Sequence, residues 1–105
     1  MLEPVQNGEE VFHRLRSVKE QLAALGVTSV GLFGSFVTGL QQDASDVDIL
    51  VEFAPQRHTF DNFMDVAFLL EDLLKRRVEL VTPQSLSPHI GPHILQEAKR
   101  VRIAA

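Results

Sequence analysis

VTSVGLFGSFVTGLQQDASDVDILVEF, residues 27–53, is the stretch that decides the fold. Two short β-branched runs, Val27 to Phe33 and Val47 to Phe53, read as strands. The first stops at Gly34-Ser35. Ten residues later the second opens on Asp46-Val47-Asp48. Ser35 to Leu40 is predicted to form a short helix ending near Gly39, and Gln41 to Ser45 a polar loop. A glycine and a serine between a strand and a helix make a cradle for an anion. Glycine lets a phosphate approach the backbone, and the first helical amides have no partner within the helix. Asp46 and Asp48 are two apart on a strand, so they share a face, with Cα atoms about 6.5–7 Å apart. Alone, Gly-Ser is an ordinary N-capped turn and Asp-x-Asp an ordinary pair of solvated acids. Together, at this spacing, they put an anion cradle beside two carboxylates.

The flanking sequence supplies cover for these strands. Asn7 is predicted as an N-cap with Glu10 as its capping-box partner. Val11, Leu15, Val18, Leu22 and Leu25 then recur at steps of four and three, the stripe of a single helix that Gly26 stops. After a loop containing Pro55, Thr59 or Asp61 caps a second long helix. Phe63, Val66, Ala67, Leu70, Leu73 and Leu74 form its apolar face. Lys75, Arg76 and Arg77 follow, positive charge at the negative end of the helix dipole. Val78 to Val81 is a third strand, stopped by Pro83. Ile94, Leu95, Ala98 and Val101 predict a last helix. The expected fold is α/β (α+β): one domain over residues 1–105, a small mixed sheet with helices packed mainly on one face.

Glu79 stands in the middle of the third strand. If that strand pairs with the one carrying Asp46 and Asp48, three carboxylates converge. Two such charges about 5 Å apart repel by roughly 3 kcal/mol at an effective dielectric of 20, and a divalent cation removes that cost. Mg²⁺ favours carboxylates, substrate phosphates and retained waters.

Composition narrows the function. The 105 residues carry a formal charge of −4 and no long basic run, so direct nucleic-acid binding is disfavoured. There is no cysteine, hence no disulfide frame and no thiolate metal site, which is compatible with the cytoplasm. No apolar run approaches the roughly 20 residues of a membrane span, and Met1 to Gln6 is too short and polar for a signal peptide. His89 and His93 have the i, i+4 spacing of a metal pair, but Gly91 and Pro92 between them argue against a regular helix. His13, His58 and the helix-borne cations are expected to be solvated surface, with an acidic partner as the alternative for Lys75, Arg76 and Arg77 and for Lys99, Arg100 and Arg102. Phe60, Phe63 and Phe68 are expected in the core or at an interface.

The phosphate turn, the Asp-x-Asp strand and the acid on a later strand resemble the nucleotidyltransferase superfamily of DNA polymerase β. Within it the chain resembles the minimal nucleotidyltransferases (MNT), often paired with HEPN-domain partners in toxin–antitoxin modules. The resemblance runs from Val27 to about Val101 and rests on Gly34, Ser35, Gly39, Ser45, Asp46, Asp48, Val51 and Glu79. It implies an NTP substrate, with AMP from ATP as the first expectation, and two Mg²⁺ ions. Asp46 and Asp48 would hold the metals, Glu79 would orient or deprotonate the attacking hydroxyl, and Gly34 and Ser35, with Thr38 and Ser45, would bind the triphosphate. The implied role is an antitoxin that transfers NMP to a hydroxyl of a HEPN partner.

The sequence departs from the family pattern at two places. Thr38 stands where many members have arginine, and Glu79 where the third acid is often aspartate. An antitoxin acting by contact with a vestigial site, and a nucleotide sensor that binds without transfer, therefore stay open beside the transferase. Within these 105 residues no segment is expected to close over a nucleotide, so a partner or a homodimer is expected to complete the base and acceptor pockets.

Overall fold

A computed structural model describes residues 2–104. The capped start forms as read: Asn7 Oδ1 accepts from the Glu10 amide at 2.9 Å, although Glu10 reaches back to the amide of Gln6, one residue earlier than a regular capping box. The first helical stripe is divided. Helix α1 spans Gly8–Ser17 and α2 spans Lys19–Ala24, with Val18 between them out of helical geometry at φ −117° and ψ 24°. The Ser17 hydroxyl donates to the Arg14 carbonyl at 2.6 Å, and the Val18 amide turns back to Leu15. A side-chain donor competing for a helical carbonyl beside a β-branched residue favours such a break. The apolar stripe survives it: Val11, Leu15, Val18 and Leu22 are all buried.

Strand β1 (Val27–Phe33), the short helix α3 (Ser35–Thr38), strand β2 (Val47–Phe53), the long helix α4 (Phe60–Leu74) and strand β3 (Val78–Val81) occupy the expected stretches. Thr59 caps α4 by accepting from the Asn62 amide. After a 3₁₀ turn at Pro83–Ser85, the predicted last helix is cut short. Helix α5 covers Gly91–Glu97, and Lys99–Arg102 is a fourth strand, β4. Ala98, at φ −61° and ψ 131°, ends the helix. The four-step spacing of Ile94 and Ala98 resembles a continuing helix. The two-step alternation of Val101 and Ile103 with Arg100 and Arg102 decides otherwise, because β1 has a free edge to pair.

The sheet order is β3-β2-β1-β4, with β1 antiparallel to both neighbours and β2 parallel to β3. Val47, Ile49 and Val51 face one side with Val30 and Leu32. There α1, α2 and α4 cover them with Val11, Leu15, Leu22, Val66, Leu70 and Leu74. Asp48, Leu50 and Glu52 alternate to the other side. The helices thus lie mainly on one face, as expected, and the acidic residues lie on the opposite one.

Candidate active site

Asp48 is the centre of the site, and two strand registers put it there. Across the antiparallel ladder it pairs with Phe33, the last residue before the Gly34-Ser35 turn. Across the parallel ladder it pairs with Glu79. The cradle and the third acid therefore flank the same carboxylate from either side. Asp46 lies two residues earlier, just before β2, and its charge acts on Asp48.

Gly34 is required at its position. Its φ of +75° favours glycine, and a Cβ there would collide with the Asp48 carboxylate. The close approach couples turn and acid: the turn backbone lies against the Asp48 side chain. Ser35 opens α3 directly after this turn.

The environment of Asp48 is hostile to its charge. Partial burial, then the charge of Glu79, then that of Asp46, and a hydrogen bond with Glu79 push its carboxyl up to about 6. Among the described residues, no three Asp, Glu or His side chains are gathered closely enough to hold a metal ion as they stand. The expected convergence of three acids is thus present as register and electrostatic coupling, without a closed cage. That donor set fits Mg²⁺, which is usually held by one or two carboxylates together with substrate phosphates rather than by an all-protein cage. Asp46 and Asp48, with Glu79 beside them, are the residues that would hold it.

The other expected phosphate ligands are differently employed. The Thr38 hydroxyl closes onto the Ser35 carbonyl of its own turn at 3.4 Å. Ser45 Oγ accepts from the Gln42 amide at 2.8 Å and so shapes its own loop. The sequence reading missed Glu97. Its Oε1 accepts from the Gly34 amide at 3.2 Å, at the mouth of the cradle. A carboxylate resting on an amide of the anion cradle marks that amide as an available anion donor. No local pattern could flag it, because Glu97 is 63 residues away in the chain and is brought back by α5.

His89 and His93 are both exposed. His58 is exposed too but stacks on Phe53, with ring centroids 5.0 Å apart. A cleft of about 320 Å³ lined by His58, Phe60, Phe63, Leu80 and Thr82 lies on the helix-covered side, because Leu80 alternates away from Glu79. It is across the sheet from the acids and does not belong to their site.

Comparison with known proteins gives one answer. The nucleotidyltransferase domain family matches residues 15–102. The chain is 39% identical over 90 residues to the protein adenylyltransferase MntA of Thermococcus cleftensis, covering 85% of this chain and 90% of that protein. A solved structure of a candidate minimal nucleotidyltransferase superposes with a TM-score of 0.77 at 32% identity, over 90% of this chain and 95% of the other. A toxin–antitoxin structure containing AMP-PNP superposes with a TM-score of 0.64 at 25% identity, over 90% and 72%. With the cradle, the paired aspartates and this agreement of sequence and fold, the chain belongs to the nucleotidyltransferase family and is a nucleotidyltransferase of the minimal type.

Proposed function

We propose that this nucleotidyltransferase transfers AMP from ATP to a hydroxyl on a protein partner, and that the partner is a HEPN-type toxin for which it serves as antitoxin. The observation that carries the reading is the position of Asp48, against Gly34 on one side and in register with Glu79 on the other. Two findings support it: the MntA relative named a protein adenylyltransferase, and the structural neighbour that is a toxin–antitoxin complex with AMP-PNP.

In this reading the triphosphate lies over Gly34 and Ser35, whose backbone turn accommodates anionic oxygens. The acceptor oxygen forms a bond to the α-phosphorus, the α–β phosphoanhydride bond breaks, and pyrophosphate leaves. Glu79 orients the hydroxyl and accepts its proton, with Asp48 beside it to share the charge. Two Mg²⁺ ions, held by Asp46, Asp48 and the phosphates, would supply charge neutralisation at the attacking and leaving oxygens. The chain itself contributes position and fixed charge.

A second reading, an antitoxin acting by contact alone, is favoured by two features of the cradle. Thr38 brings no cation, and Glu97 sits on the Gly34 amide. Labelled ATP, Mg²⁺ and a HEPN partner distinguish the two. Transfer of label by the native chain and its loss in Asp48→Ala supports the enzyme. No label from either, with neutralisation of the partner intact, supports contact alone.

A further inference from the structure

We propose that Arg76 is a positioning residue of the transfer site, a clamp that fixes the loop between the cradle and the acid pair. This rests on the functional reading above. In the sequence Arg76 is one of three cations after α4, where solvation is the ordinary expectation; it is instead half-buried. Lys75 takes a left-handed conformation at φ 56° and ends α4 there. Beyond that turn, the Arg76 side chain meets the loop.

Its guanidinium reaches four carbonyls. Nε donates to Val5 at 2.7 Å. Nη1 is directed at Gln42 at 3.1 Å, Asp43 at 2.8 Å and Ser45 at 3.2 Å. The same guanidinium carbon lies 5.1 Å from the centre of the Phe36 ring, a cation–π distance. Phe36 is buried and follows Ser35 in the cradle helix, and Ser45 precedes Asp46. One side chain therefore contacts both ends of the segment that joins the phosphate turn to the first aspartate.

The loop has few other anchors. Gln41 donates to the Gln6 carbonyl at 3.0 Å, but its Oε1 is buried without a donor among the described residues. Ser45 Oγ holds only Gln42 of the same loop. Arg76 is the cross-link from this loop to Val5 and to α3. A planar fork can span carbonyls on two sides at once; a lysine ammonium, a point charge on a flexible stem, cannot reproduce that geometry.

The experiment compares native chain, Arg76→Lys and Arg76→Ala by thermal unfolding, by amide hydrogen exchange, and by ATP-dependent label transfer to the HEPN partner. Arg76→Lys should fold, with exchange of the 41–46 amides faster by about tenfold, as expected for the removal of one net hydrogen bond, while residues 47–53 stay protected. Its kcat should fall by up to about a hundredfold, as expected for a misplacement of about 1 Å, with KM for ATP nearly unchanged. Unchanged exchange at 41–46 in Arg76→Lys overturns the clamp. So does a kcat per folded molecule equal to that of the native chain. If the native chain itself transfers no label, the transferase reading fails instead, and the exchange measurement alone decides whether Arg76 holds the loop. If Arg76→Ala does not fold, Arg76→Lys carries the test.

Discussion

At the scale of single residues, Asp48 carries the most information. Its carboxyl is raised to about 6 by burial and by Glu79 and Asp46. For a group with a raised folded-state pKa, the neutral form is the one the fold prefers. Below the unfolded value of about 3.9 both states hold the proton and there is no difference. As pH rises from there through 6, the folded state must ionise an unfavourably placed carboxyl, and stability declines. Asp48→Asn should therefore raise the melting temperature of the metal-free chain at pH 7.5 and leave it nearly unchanged at pH 4. A thermal melt at both pH values checks this. The same shift predicts that Mg²⁺-dependent ATP binding weakens as pH falls through 6, read by titration calorimetry. Asp46, Asp48, Gly34 and Ser35 were legible as candidates from spacing alone. Their electrostatic coupling was not, because it depends on which strand lies beside which.

At the scale of elements, α5 and β4 account for most of what the sequence concealed. Residues 94–103 carry two overlapping periodicities, and local pattern cannot arbitrate between them. The free edge of β1 does so, by offering a ladder to Lys99–Arg102. Ending α5 at Glu97 also brings that side chain onto the Gly34 amide. An incoming phosphate must displace it, against like charge. Glu97→Gln should therefore tighten ATP binding by roughly two- to fivefold, about the size of a single charge–charge interaction at an exposed site. Calorimetry showing equal or weaker binding would contradict this role for α5. The break between α1 and α2 was equally hidden, because the apolar stripe crosses it without a lapse.

At the scale of the whole molecule, the chain is a two-layer body of 37 × 36 × 22 Å. Its helices lie mainly on one face, and the acid site lies on the other. No described helix is long and apolar enough to cross a membrane. Ile103, just beyond β4, is buried in the main core and ties the last strand to β1 through a bond from its amide to the Thr28 carbonyl. Ile103→Ala should cost about 2–4 kcal/mol, seen as a lower denaturation midpoint with an unchanged slope. A change below about 0.5 kcal/mol, the usual size for a surface substitution, would mean that β4 adds little to the fold.

What the sequence determined by itself was local: β1, β2, β3 and α4 from their periodicity, the turn at Gly34, and the candidacy of Asp46, Asp48 and Glu79 from residue type and spacing. Only the tertiary structure decided what meets what. Register set Glu79 opposite Asp48, the free edge of β1 made a strand of Lys99–Arg102, and the turn after α4 put Arg76 on the loop before Asp46. These pairings join residues tens of positions apart. Their energy comes from pairing and burial that no short stretch of chain possesses before it folds.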